Sequence, residues 1–187
     1  VTSGNALAAR LAKSALDLGI PILTSTRVKQ VLIENSKVSG VQIDDESGSS
    51  QLHARHGVVL ACGGFPHDVK RIARAYPHLQ QGGEHLSPTS EGNTGDGTQM
   101  AEDLGADVSI RFKDAAAWMP VSRVLYANGE TGVFPHLLDR YKPGVIGVLR
   151  NGKRFCNESN SYHDVGADMI KACAGDTETA MWLVCDK

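Results

Sequence analysis

The chain has 187 residues, of which 41% are apolar and 21% charged, enough apolar material for a packed core and too much for a disordered chain. Lys and Arg number 19 and Asp and Glu 21, so the formal charge is −2, which leaves no basic footprint for a nucleic acid. No apolar run reaches the roughly 18 residues that a membrane helix needs.

Leu7, Leu11, Ala15 and Leu18 recur at helical spacing behind Ser3, a candidate N-cap, and Gly19 and Pro21 close the helix. Ile22–Thr24, Val28–Glu34, Val38–Ile43 and Gln51–Ala54 read as strands. The last three are joined by the short polar links Asn35-Ser36-Lys37 and 44–50, which predicts a β-meander. Val58-Val59-Leu60-Ala61 is continuously apolar and runs straight into Cys62-Gly63-Gly64, the pattern of a strand covered on both faces in a parallel sheet. The expected fold class is therefore α/β, a parallel sheet with an antiparallel meander. Ligands gather at the carboxyl ends of such strands, where Gly63 and Gly64 would lie.

His67–Tyr76 reads as a helix stopped by Pro77, residues 78–93 as a glycine-rich loop, and Asp96–Leu104 as a helix ended by Gly105. From about Lys113 the periodicity fades among Pro120, Pro135 and Pro143. Val145–Leu149 reads as a strand and Asn151-Gly152 as a tight turn. Ser161, three residues before Asp164, has capping-box spacing and opens a helix to about Ala174. Ala180–Cys185 reads as a last strand. The cysteines at 62, 156, 173 and 185 are not spaced as a zinc or redox pair, and no basic-then-apolar leader opens the chain. No metal site and a reducing, cytoplasmic setting are expected.

Three stretches carry a family resemblance. Leu60-Ala61-Cys62-Gly63-Gly64-Phe65 resembles the Ala-Thr-Gly-Gly-Phe turn of flavoproteins related to fumarate reductase, succinate dehydrogenase and the 3-ketosteroid dehydrogenases. Thr94-Gly95-Asp96-Gly97 resembles their second FAD-contacting loop, and 152–158, Gly-Lys-Arg-Phe-Cys-Asn-Glu, their Gly-x-Arg-Phe-x-Asn-Glu signature. The resemblance implies FAD as cofactor, with Val28, Ala61, Cys62, Gly63, Gly64 and Asp96 along it. Taken alone, the glycines suit a tight turn, Val28 a strand core and Asp96 a helix cap. Family members are longer, and their Gly-x-Gly-x-x-Gly turn, which holds the pyrophosphate, is not found here. The chain is thus expected to be an internal piece: the later part of an FAD domain over 1–112 and the start of an α+β capping domain over 113–187.

Tyr162 separates the branches. Fumarate reductases place a proton-donating Arg at the matching position, and the 3-ketosteroid 1-dehydrogenases a Tyr implicated in removing the substrate proton. The resemblance therefore implies that Tyr162 is a base. A free Tyr titrates near 10, so the first turn of a helix and the substrate would have to favour its anion. The alternative is a core residue, since Tyr162 shares a helical face with Val165, Met169 and Cys173. His163 points about 100° away from Tyr162 on the helix and reads as a local hydrogen-bonding residue. Arg140 falls near the reductases' relay Arg, but Leu137 stands where its acidic partner belongs, and Ala115-Ala116-Ala117-Trp118 holds no clamping His. The expected reaction is dehydrogenation of an apolar, 3-ketosteroid-like ketone, with an electron acceptor left unidentified. A fumarate-reductase-like reduction and a non-catalytic α/β binding module are the alternatives.

Overall fold

The structure, a computed structural model, describes residues 3–109, 112 and 114–186, in two compact units, Val1–Leu60 and Ala61–Lys187. The expected boundary at 112/113 falls beside residues 110, 111 and 113, which lie outside the described residues, as does the side chain of Ser3.

The first unit holds helix α1 (Ser3–Asp17) and the antiparallel meander β1 (Arg27–Glu34), β2 (Lys37–Asp45) and β3 (Gly48–His53), in the order β1-β2-β3. The β1–β2 turn is the two-residue pair Asn35-Ser36, both at positive φ (50° and 61°), the type I′ geometry that matches strand twist. Asp45 shapes the second turn by accepting from the Ser47 N–H at 2.8 Å. Ile43 is buried. Ile22–Thr24, expected as a strand, carries no ladder, and Ile22 and Leu23 are exposed.

The second unit begins at Ala61. Helix α2 (Val69–Ala75) is capped by Asp68, whose carboxylate accepts from the N–H groups of Lys70 and Arg71 at 3.1 and 3.0 Å. Pro77 does stop α2, but it also opens α3 (Pro77–Gln80), because proline at a first helical position forfeits no hydrogen bond. Helix α4 (Asp96–Asp103) follows, then a hairpin of β4 (Val121–Leu125) and β5 (Thr131–Pro135) in the stretch where no periodicity was expected. A 3₁₀ turn (Asp139–Tyr141), β6 (Val145–Val148), α5 (Tyr162–Ala172) and β7 (Trp182–Cys185) complete the unit, with β6 and β7 antiparallel. Its core is Ile72, Tyr76 and Trp118, joined by Phe65, Leu79, Ala167 and Ile170.

The expected parallel sheet is not seen among the described residues. Every sheet among the described residues is antiparallel, and Val58–Ala61 forms no strand; Val59 is 88% exposed. A two-face-buried strand needs a bonding neighbour and a cover on each side, and the described residues supply neither to this run.

Candidate functional site

The two glycine turns of the second unit lie side by side. Gly63 has φ +83°, a conformation that strains any other residue, and a Cβ there would push the Asn93 side-chain oxygen aside. The Gly95 N–H donates to the Gly64 carbonyl at 3.1 Å, and the His67 N–H to the Asn93 carbonyl at 3.1 Å. Ala61, Cys62, Gly63 and Gly64 are all exposed, which leaves a strip of accessible backbone. Gly95, not Asp96, is the N-cap of α4. Asp96 is the first helical residue, exposed, and accepts from Thr94 Oγ1 at 2.7 Å. A carboxylate at that end suits the helix dipole.

A charged clasp holds the two turns together. Arg71 on α2 donates to both carboxylate oxygens of Glu102 on α4, at 2.9 and 2.7 Å, and its Nε lies 3.3 Å from Asp68. Its guanidinium also stacks over Phe65, 5.6 Å from the ring centroid. The two-pronged pair with Glu102 raises the Arg71 pKa and lowers that of Glu102.

Behind the turns sits an aromatic cluster. Tyr76 meets Trp118 edge-on at 5.0 Å and His85 at 4.9 Å, and His78 Nε2 lies 3.3 Å from His85 Nδ1. Burial, then the nearby His78 and His67, push the His85 pKa down to about 4, so the pair is neutral at ordinary pH.

Trp118 connects this cluster to α5. Its indole N–H donates to Asp114 at 3.1 Å, and its backbone N–H donates to His163 Nδ1 at 3.1 Å. His163 Nε2 lies 3.4 Å from the same Asp114 carboxylate, so His163 is a hydrogen-bonding residue whose partners are distant in the chain rather than local as expected. Gly166, one turn on, is buried against Trp118: a Cβ there would stand 2.7 Å from the Trp118 Cβ. Helix α5 opens at Ser161, whose Oγ accepts from the Asp164 N–H at 3.1 Å. Val165 and Cys173 of the expected apolar face are buried, whereas Tyr162 on the same face is 42% exposed. A first-turn side chain overhangs the helix end, beyond the neighbours that cover the later turns.

The Gly-x-Arg-Phe-x-Asn-Glu stretch is a buttress. Glu158 is buried and accepts from Arg154 at 3.1 and 2.5 Å and from the Gly147 N–H of β6 at 2.8 Å. Arg154, followed by the Gly147 bond, holds the Glu158 pKa down to about 2. Arg140, only 2% exposed, donates to the Glu158 carbonyl. A shallow hollow of about 520 Å³ opens beside Arg154, Phe155, Cys156, Asn157 and Asp168, and Tyr162 is not in its lining.

The FAD binding domain family matches residues 1–187. The chain belongs to the FAD binding domain family. It is 34% identical over 187 residues to the 4-oxocyclohex-2-ene-1-carboxylate 5-dehydrogenase of Sinomonas cyclohexanicum, covering 100% of this chain and 31% of that protein. It is also 34% identical over 201 residues to a 3-oxosteroid 1-dehydrogenase of Mycobacterium tuberculosis, covering 100% of this chain and 33% of that protein. Among solved structures it resembles the 3-ketosteroid delta1-dehydrogenase of Sterolibacterium denitrificans, in complex with 1,4-androstadiene-3,17-dione. The TM-score is 0.77 and the identity 30%, over 98% of this chain and 32% of that one. The chain thus spans about a third of the length of these relatives.

An FAD binding domain needs backbone that a flat cofactor can approach, and the exposed strip from Ala61 to Gly64, where the φ of Gly63 strains any other residue, fits that need. In the first unit, Val28 stays paired with Ile43 on edge strand β1, and the residue the register skips is Lys29 beside it. Among the described residues no His, Cys, Asp and Glu group could hold a metal, and no helix is long and apolar enough to cross a membrane. Sequence reasoning missed Arg71, Glu102, Asp114 and Gly166. The local hints were Asp68 three residues before Arg71 and Asp114 four residues before Trp118; the Arg71–Glu102 and Gly166–Trp118 pairings join residues far apart in the chain.

Proposed function

We propose that the protein carrying this chain is an FAD-dependent dehydrogenase of a cyclic ketone, with Tyr162 as the base. On this reading Val28, Ala61, Cys62, Gly63, Gly64 and Asp96 face the cofactor, and the stretch 113–187 begins the domain that caps it. The observation that carries the reading is the exposure of Tyr162 at the first turn of a helix pinned to Trp118 through His163 and Gly166. Tyr162 Oη would take a proton from the carbon next to the substrate carbonyl. The chemistry FAD supplies when bound is acceptance of the hydride from the adjacent carbon, so a carbon–carbon double bond forms. Contact with the substrate must supply the stabilisation that a tyrosinate base needs. Arg140 is buried on the Glu158 carbonyl rather than presented to a carboxylate, which supports a ketone over a dicarboxylate substrate. The four free thiols suit a reducing, cytoplasmic setting. The electron acceptor is a separate partner.

The test is anaerobic single-turnover flavin reduction in the full-length holoenzyme. A 3-keto steroid or smaller cyclic ketone should bleach the flavin and succinate should not. Tyr162→Phe should slow bleaching by about 10²–10⁴-fold with FAD content unchanged. A variant within about threefold of wild type, or bleaching by succinate alone, overturns the proposal.

A further inference from the structure

The β4–β5 hairpin carries chemistry that the flavin reaction does not use. Ser122 on β4 stands opposite Phe134 on β5, so His136, two residues further on, falls on the same face and diagonal to it. Ser122 Oγ lies 2.6 Å from His136 Nε2, and His136 Nδ1 lies 2.5 Å from Asp139 Oδ2. Asp139 opens the 3₁₀ turn three residues on, which brings its carboxylate under the ring. Phe134 packs edge-on to His136 at 5.2 Å and fixes the ring plane. In a neutral imidazole the carboxylate holds the proton on Nδ1, which leaves Nε2 as acceptor for the serine hydroxyl. The His136 side chain is only 14% exposed, whereas Ser122 is open to solvent. A shielded base, a carboxylate that orients it and an accessible hydroxyl are the three parts of an activated nucleophile.

We propose that Ser122 is a site of covalent acylation that takes a small acyl group from an activated ester. Ser122 Oγ attacks the acyl carbon while its proton passes to His136 Nε2. The ester C–O bond then breaks, and His136 returns the proton to the departing alkoxide. The products are the Ser122 ester and an alcohol; nothing is oxidised or reduced. Exposed Phe134, on the same face, gives the acyl group an apolar flank.

The ladder shows that the site is modified once rather than turned over. The His136 N–H donates to the Pro120 carbonyl at 3.0 Å and the Tyr126 N–H to the Glu130 carbonyl at 2.8 Å. Bonded pairs alternate in an antiparallel ladder, which makes Ser122–Phe134 a bonded pair, so the Ser122 N–H is committed to the sheet. That amide cannot serve the tetrahedral oxyanion, and losing one such donor slows each acyl-transfer step by about 10²–10³-fold. Activated esters acylate despite this; the serine ester formed is much less reactive and persists.

The experiment treats the full-length holoenzyme with 4-nitrophenyl acetate. The expected result is a stoichiometric burst of nitrophenolate, with the acetyl group located on the Ser122 peptide by mass spectrometry. The burst should be absent in Ser122→Ala, which should still reduce its flavin with ketone at the wild-type rate. His136→Gln and Asp139→Asn should each slow acetylation by about tenfold or more. The rate should rise with pH through a single ionisation and then level off. Acetylation of Ser122 no faster than of exposed Ser159, unchanged labelling in His136→Gln, or a rate that climbs with pH without a plateau overturns the proposal.

Discussion

Gly166→Ala tests how tightly the position of Tyr162 is set. In a helix interior, alanine is favoured over glycine by about 1 kcal/mol, so at an open site the change would stabilise α5. Here the new Cβ would stand 2.7 Å from the Trp118 Cβ, 3.2 Å from its carbonyl carbon and 3.3 Å from the Met119 nitrogen. Two of those atoms are backbone. The indole cannot swing away, because its N–H is bonded to Asp114 and its ring packs on Tyr76. Bringing the 2.7 Å contact out to an ordinary separation of about 3.4 Å moves α5 by roughly 0.7 Å. Overpacking of this kind costs about 1–3 kcal/mol, which outweighs the gain in propensity and leaves a net loss of about 1 kcal/mol. The shift carries Tyr162, one turn away, with the helix. A misplacement near 1 Å slows chemistry by about 10²-fold, so single-turnover flavin reduction should slow by about tenfold or more while FAD stays bound. The assays are urea unfolding and anaerobic flavin reduction on the same preparations. A Gly166→Ala protein more stable than wild type by about 1 kcal/mol, with an unchanged rate, would refute both the packing argument and the positioning argument.

Two further predictions concern pH. Glu158 titrates from about 2 in the folded chain against an ordinary 4.5, so its pairing contributes fully above about pH 4.5 and is lost as pH falls toward 2. Allowing for the solvent exposure of Arg154, that contribution is on the order of 2 kcal/mol, and Glu158→Gln should remove it and lessen the acid-limb slope of urea midpoints, to which Asp68 and Asp139, also held low, still contribute. His85 stays neutral in the fold to about pH 4, whereas the unfolded chain takes up its proton near 6.5. Stability should therefore decline as pH falls from about 6.5 to 4, and His85→Phe, which keeps a ring against Tyr76, should flatten that decline; an unchanged slope would mean that His85 is not buried neutral.

What could be read from the sequence was local. The meander follows from alternation and short polar links. Helix α5 follows from Ser161 and Asp164, and the two glycine turns from their own residues, because each signal acts over a few positions. The hairpin was hidden because prolines bound it. Pro135 nevertheless fits a strand end opposite Val121, where the alternation of the ladder asks for no donor. Val58–Ala61 forms no strand among the described residues, and its sequence could not say so, because an apolar run reports burial without naming its partners. The links that position the site, Arg71 to Glu102 across 31 residues and Trp118 to His163 across 45, leave no local trace, since nothing in the spacing of an Arg or a His says which distant group it will meet.

The clasp between Arg71 and Glu102 separates two properties that usually travel together, the length of a loop and the placement of its ends. The Gly63 and Gly95 turns are registered against each other by the α2–α4 ion pair and by the Gly95 to Gly64 bond, and the exposed tip from Pro88 to Glu91 adds ties of its own, with His67 Nε2 3.3 Å from the Thr89 carbonyl and the Asn93 N–H donating to the Ser90 carbonyl at 3.0 Å. Closing a longer tip adds only about 0.6 kcal/mol for each doubling of loop length. An insertion at the tip is therefore cheap in closure entropy so long as the Thr89 and Ser90 bonds are kept, and the bare backbone beneath then keeps its spacing.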